Sequence, residues 1–134
     1  MANHYAYLFS EDARAQAGFY VDALGGEILT VMTHGEMPGA SDALKDKVLH
    51  MSFVAGGVTF MICDAVFEPA THGNAVNLVL EFEADAEALD AFDKLAAGGI
   101  VKDPIKPQFW GSLFGLLEDK YGISWMITTV AKES

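Results

Sequence analysis

The sequence has little cysteine, little positive charge and no long apolar run. Its one cysteine, Cys63, cannot form an intrachain disulfide, which is typical of a reducing compartment. Eight basic residues against nineteen acidic ones leave a net charge of −11. This field repels phosphate backbones and anionic lipids, so we expect neither nucleic acid nor a membrane as partner. No apolar stretch approaches the ~20 residues that cross a bilayer.

Residues 1–5 lack both a basic region and an apolar run, so we predict no signal peptide and a cytoplasmic protein. The chain has 134 residues, of which 51% are hydrophobic and 20% charged. This composition is globular, and the length suits a single domain over residues 1–134 with its own core.

The two halves of the chain repeat one pattern. Residues 57–63 match residues 122–128 in character, position by position. One amphipathic helix is predicted in each half, with Ser10 and Asp85 as N-caps and with Gly25-Gly26 and Gly98-Gly99 as stops. The apolar stripes that define these helices are Ala13, Ala17, Tyr20 and Leu24, and then Ala88, Phe92, Leu95 and Ala96.

Alternating residues predict four strands in each half, and both halves read βαβββ. The strands are 5–9, 27–33, 48–54 and 58–64, then 76–83, 100–105, 110–118 and 123–130. The predicted fold is α+β: two half-repeats, about 1–66 and 74–134, forming a cupped, mostly antiparallel sheet with helices on its outer face. An ordinary α+β sandwich with two similar helices is the alternative. The connection 35–46 can be a mobile flap or a disordered loop.

Strand alternation gives the sheet two different faces. One face is large and apolar and is predicted to be the core, with Leu49, Met51, Phe53, Val58, Phe60, Ile62, Leu78, Leu80, Phe82, Ile123, Trp125 and Ile127. The other mixes polar and adaptable groups, which suits a small-molecule cavity, although a dimer interface or a weaker second core is also compatible. Its residues are His50, Ser52, Thr59, Met61, Cys63, Asn77, Val79, Glu81, Ser124, Met126 and Thr128.

Few residues suggest chemistry. His50 and Glu81 can form an acid/base pair, or His50 can simply be a hydrogen-bonded histidine in a pocket. Cys63 can be a nucleophile, but we interpret it as a small buried residue. Aromatic residues can stack on a planar ligand, with Trp110 the best candidate among Tyr5, Tyr7, Phe109, Trp110 and Phe114. The sequence contains no glycine-rich nucleotide loop after the first strand, no P-loop and no Gly-x-Ser-x-Gly elbow.

The segment 110–125 resembles the pattern W-G-x-x-F-G-x-x-x-D-x-x-G-x-x-W of the PhnB-like branch of the vicinal oxygen chelate (glyoxalase/bleomycin-resistance) superfamily. Residues 18–26 look like that family's first helix, 95–99 like the end of its second, and 48–51 like its third strand. The resemblance covers nearly the whole chain and fails mainly over 35–46. It implies a pocket inside the sheet and a homodimer.

The resemblance also implies where a divalent metal would be held, at Tyr5, Met61, Asn77 and Met126. A phenol, two thioethers and an amide are poor ligands for a hard dication, so we expect no metal and no cofactor. A metal site rebuilt around His4, His50, Cys63 or Glu81 is the alternative. The predicted ligand-binding residues are Tyr5, Tyr7, His50, Thr59, Met61, Asn77, Trp110 and Met126.

Three functions fit: a metal-free pocket for a small organic molecule, a lyase, dioxygenase or transferase with a rebuilt site, and a structural or partner-binding dimer. The missing metal ligands and the mixed face favour the first.

Overall fold

A computed structural model describes residues 1–131 and divides the chain into two compact units, Met1–Thr71 and a second beginning at His72. The first contains β1 (Ala6–Ser10), α1 (Ala13–Leu24), β2 (Gly26–Thr33), β3 (Val48–Ala55) and β4 (Val58–Asp64). The second contains β5 (Leu78–Phe82), α2 (Asp85–Ala96), β6 (Ile100–Pro107), β7 (Leu113–Glu118) and β8 (Ser124–Thr129). The predicted α+β class and βαβββ order are confirmed. The grouping of both units into one domain over 1–134 stays a prediction.

Each unit forms a four-stranded sheet with the same topology. The strand orders are β1-β4-β3-β2 and β5-β8-β7-β6. The β1/β4 and β5/β8 pairs are parallel and the others antiparallel, so the sheets are mostly antiparallel, as predicted. The register pairs Ala6 with Phe60 and Leu78 with Trp125. Phe60 and Trp125 therefore occupy equivalent positions, as the repeat predicted.

The core of the first unit lies between α1 and one face of its sheet. Tyr20 of α1 stacks on Phe53 at a centroid distance of 6.1 Å, and Phe53 stacks on Phe60 at 5.3 Å. Ala13 and Ala17 are fully buried, and such small side chains allow the helix to approach the sheet closely. Inside this core the Gln16 amide donates to the Tyr20 hydroxyl at 2.9 Å, which pairs both buried polar groups.

In the second unit α2 packs on β7 and β8. Phe92 and Leu95 of α2 are buried, as are Trp125 and Ile127 of β8. Gly115 of β7 lies under the helix, where an added Cβ would be 2.7 Å from Phe92 Cε2. The same Cβ would be 2.8 Å from Ile105 Cα of β6, a backbone atom that cannot rotate away, so glycine permits both close contacts at this position.

Both predicted N-caps are wrong by one or two positions. Asp12 caps α1, its carboxylate accepting from Ala15 N at 3.2 Å, because Ser10 is still in β1 and its hydroxyl reaches only Asp12 N, at 3.0 Å. The N-cap of α2 is Ala84, and Asp85 is the first helical residue.

The connection 35–46 consists of hydrogen-bonded turns. Gly35 N donates to Lys45 O at 2.9 Å, and His34 N donates to Lys47 O at 2.9 Å, so the segment closes on itself. Trp110 lies in a turn before β7, not in the strand predicted to begin there.

No helix among residues 1–131 is long and apolar enough to span a membrane.

A candidate ligand-binding face in the first unit

The face of the first sheet opposite α1, which we call the open face, carries the site residues predicted in this unit. Tyr7 pairs with Met61 in the β1/β4 register, and Ser52 pairs with Met61 between β3 and β4. Because side chains alternate along a strand, His50 and Cys63 point to the same side. The open face therefore combines aromatic, sulfur-containing and hydroxyl groups, as predicted for it.

Tyr7 is the centre of a polar cluster on the open face. Its hydroxyl lies 3.3 Å from His50 Nδ1, and the two rings are 5.7 Å apart. The hydroxyl is also hydrogen-bonded to the Cys63 thiol. A hydroxyl has one proton, so Tyr7 can donate to one neighbour while it accepts from the other. Tyr7 thus connects β1 to both β3 and β4.

Both acidic groups in this cluster are held in their protonated forms. Burial raises the pKa of the Tyr7 hydroxyl to about 12, and its hydrogen bond to Cys63 adds to the rise. Burial also raises the pKa of the Cys63 thiol, partly opposed by the Tyr7 hydrogen bond and reinforced by the nearby Asp64 charge. At neutral pH the two groups are hydrogen-bond donors, and Cys63 is a poor nucleophile.

A cavity of about 200 Å³ lies beside this cluster, within the first unit. Phe9, Leu49, Ala65, Val66 and Phe67 form its apolar wall. The remaining lining residues are His34, Cys63, Asp64 and Glu68. Phe9 and Cys63 are paired in the β1/β4 register, so the cavity is a continuation of the open face toward the ends of those two strands.

Leu49 lines the cavity because β3 contains a bulge. Thr33 pairs with Val48 and Met32 with His50, so Leu49 is an extra residue without a partner in β2. Such an extra residue reverses the alternation. The prediction that Leu49 shares the core face with Met51 and Phe53 is therefore wrong, and Val48, fully buried, takes the core position.

Asp64 is fixed at the N-terminus of α1. Its Oδ1 accepts from Ala13 N at 2.8 Å and its Oδ2 accepts from Val48 N at 2.7 Å. Both oxygens thereby satisfy backbone donors, at the start of a helix and of a strand. Asp64 is thus a structural carboxylate that also places a negative charge at the cavity.

The lining of this cavity includes none of the predicted ligand-binding residues: Tyr7, His50 and Met61 lie on the open face beside it. Tyr5 precedes β1 and is 45% exposed, and Thr59 is half-buried on β4. In the second unit Asn77 precedes β5, and Met126 pairs with Val79. Trp110 is 47% exposed and packs edge-on against Phe114 at 6.1 Å. A ligand role for these residues stays a prediction.

The proposed His50/Glu81 pair consists of residues from different units. His50 of β3 makes its described hydrogen bond to Tyr7, and Glu81 of β5 pairs with Thr128 in the strand register. By the repeat, Glu81 occupies the position of Phe9 in the first unit. The polar neighbour of His50 is Tyr7, and the sequence did not reveal this contact.

The four positions expected to hold a metal do not have the chemistry for one. The first unit supplies Tyr5 and Met61, and the second supplies Asn77 and Met126. A phenol, an amide and two thioethers are poor ligands for a hard dication. Within residues 1–131, no group of three or more His, Cys, Asp or Glu side chains is placed to bind a metal ion.

Several cavity residues were missed. Phe9 continues the alternation of Tyr5 and Tyr7, which could have identified it. Cys63 was placed on the open face but interpreted as buried packing, whereas it is half-buried and borders the cavity. No local signal marks Leu49 or Phe67, since one depends on a bulge and the other on a connection that returns to the sheet.

Similarity to solved structures identifies the fold. A glyoxalase/bleomycin resistance protein/dioxygenase family enzyme from Burkholderia phytofirmans has a TM-score of 0.66 at 15% identity, covering 94% of this chain and 96% of that one. At this identity the likeness shows the fold alone, and it is the glyoxalase-like α+β fold expected from the repeat.

Residues 3–128 match the family model described as 3-demethylubiquinone-9 3-methyltransferase, and the chain belongs to this PhnB-like family. Protein PA1353 from Pseudomonas aeruginosa is 29% identical with a TM-score of 0.84, over 98% of this chain and all of the other. A PhnB protein from Bacillus cereus is 27% identical with a TM-score of 0.79, over 96% and 100% of the two chains. The predicted family is confirmed.

Proposed function

We propose that this protein binds a small organic molecule in the cavity of its first unit, without a divalent metal. The cavity itself carries the proposal: about 200 Å³, lined mainly by apolar side chains and bordered by the Tyr7 cluster. Small-molecule sites combine an apolar wall with a few placed polar groups in this way.

The protonation of the Tyr7 cluster supports binding over catalysis. A Tyr7 hydroxyl with a pKa of about 12 cannot act as a base at neutral pH, but it can donate a hydrogen bond. The raised pKa of the Cys63 thiol argues against attack on a bound molecule. These groups are suited to orienting a ligand.

The methyl transfer named in the family description is not the activity that these residues favour. In Rossmann-type folds a nucleotide-like cofactor is held by a glycine-rich turn after the first strand, which presents backbone N–H groups. Here the turn is Glu11-Asp12: the Glu11 carboxylate accepts from Ala70 N at 2.8 Å and that of Asp12 caps α1. This acidic turn does not fit such a cofactor.

Binding is tested with a small aromatic probe and with a substitution in the cavity wall that fills the cavity. Benzyl alcohol should shift the amide signals of Phe9, Leu49 and Cys63 in a two-dimensional NMR spectrum of the full chain. Ala65→Leu adds volume inside the cavity and should weaken this binding about tenfold. Ala86→Leu makes the same change on an exposed position of α2 and should leave it unchanged. Equal binding by the Ala65→Leu variant would place the ligand elsewhere.

Metal content is tested on protein purified without chelator and without nickel affinity resin. We expect native mass spectrometry to report no transition metal, because the four family positions lack suitable ligands. We also propose that the protein is cytoplasmic and forms a homodimer. A homodimer has twice the 14.4 kDa chain mass, which the same spectrum measures. One zinc, nickel, manganese or iron per chain, lost in Met61→Ala and Met126→Ala, would contradict the metal-free proposal.

A further inference from the structure

The size of the first-unit cavity limits what it can hold. Its volume is about 200 Å³, and a dry apolar cavity of roughly 150 Å³ is large enough to bind benzene. This cavity is open to solvent on one side, where Phe9 is 58% and Phe67 90% exposed, and Leu49 and Val66 present aliphatic groups to it. These dimensions and walls suit one aromatic ring with a short substituent.

Acidic side chains line the cavity without a lysine or arginine partner. Asp64 and Glu68 line it together with His34, and no lysine or arginine does so within the described chain. Both carboxylate oxygens of Asp64 accept hydrogen bonds from backbone N–H groups, so its charge is fixed in place. Glu68 is exposed, so its carboxylate is open to a group at the solvent end of the cavity. An anion entering here would meet two negative charges without a cationic partner.

We infer that the cavity selects a cationic aromatic amine, its ring packed against Phe9, Leu49 and Phe67 and its ammonium group beside Glu68. The inference deepens the proposed function and rests on it. Aromatic faces attract a cation as well as a ring, so Phe9 and Phe67 act in the same direction as the carboxylate. The ring supplies burial, and the charge supplies selectivity.

Cys63 is the reporter for the test, because it borders the cavity and is the one cysteine of the chain. Methyl methanethiosulfonate is small, uncharged and thiol-specific. Its methylthio group is transferred to the Cys63 sulfur, and methanesulfinate is released. The methylthio group adds a known mass to the protein. A molecule in the cavity blocks this reaction, so the rate measured against probe concentration gives the affinity of the probe.

Three probes share one ring and differ in charge: benzylamine, benzyl alcohol and phenylacetate, compared at pH 8 and equal ionic strength. We expect benzylamine to protect Cys63 about threefold to tenfold more tightly than benzyl alcohol, with phenylacetate the weakest. Glu68→Gln should remove most of the advantage of benzylamine and leave benzyl alcohol unchanged. Glu83→Gln, an equal charge change at an exposed site in the second unit, should preserve the order.

The outcomes separate the inference from the proposed function. If benzyl alcohol protects Cys63 but benzylamine is no better, or if Glu68→Gln leaves the order unchanged, the selectivity is wrong and the cavity still binds. If no probe protects Cys63 and Ala65→Leu affects none of them, both the inference and the proposed function are overturned.

Discussion

Replacing Gly26 or Gly99 with alanine is expected to destabilise the protein by about 3 kcal/mol or more, measured as the free energy of unfolding in urea. An added Cβ would lie 1.8 Å from Val54 O at Gly26 and 2.1 Å from Glu118 O at Gly99. Both contacts are with backbone, which cannot rotate away as a side chain can. Relief therefore requires β2 to separate from β3, or β6 from β7.

In each of the pairs Gly25-Gly26 and Gly98-Gly99, the first glycine ends the helix and the second permits close strand pairing. Gly25 and Gly98 each have φ of +78°, a conformation that glycine adopts at little cost and that turns the chain out of its helix. The second glycine of each pair then allows the next strand to approach its neighbour.

Gly18→Ala is the matched control. Beyond its chain neighbours and the backbone of its own helix, no atom lies within 4 Å of a Cβ at that position, inside α1, so the change should stabilise the helix by about 0.5–1 kcal/mol. If Gly26→Ala and Gly99→Ala destabilised no more than Gly18→Ala, the close approaches would not be structural requirements.

Asp119→Ala is expected to cost about 3–5 kcal/mol of unfolding free energy. Asp119 is 2% exposed and organises the turn between β7 and β8. Its Oδ1 accepts from Tyr121 N at 2.8 Å and Ile123 N at 3.1 Å, and its Oδ2 accepts from the indole Nε1 of Trp125 at 2.8 Å. Alanine would leave these donors without the carboxylate, and Trp125 is fully buried.

Asp119→Asn should fall between the two proteins, because the amide keeps one acceptor oxygen and turns its NH₂ toward a donor. Asp93→Ala removes an exposed carboxylate from α2 and should change stability by less than about 0.5 kcal/mol. A loss below about 1 kcal/mol for Asp119→Ala would show that water replaces the carboxylate and that the turn does not depend on it.

Most residues of the family pattern in segment 110–125 have structural contacts in this protein. Asp119 and Trp125 are bonded to each other, Gly122 has φ of +89° in the turn between them, and Gly115 lies under α2. Trp110 and Gly111 are the members of the pattern that remain exposed. A chain can therefore match the pattern while the residues of its cavity change.

The sequence identified the features that depend on local spacing. The repeat, the two helices, the eight strands and the paired glycines all follow from side-chain periodicity and backbone preference, which act over a few residues. β4, predicted at 58–64, is observed as Val58–Asp64. The placement of His50 and Met61 on one face also follows from alternation alone.

The tertiary structure decided the features that join distant parts of the chain. Tyr7 meets His50 across 43 positions, and Asp64 meets Ala13 across 51. The cavity exists because a bulge turns Leu49 to the open face and the segment after β4 brings Phe67 back to Phe9. Periodicity holds no information about these partners, because strand register and loop path are set by packing between segments far apart in the sequence.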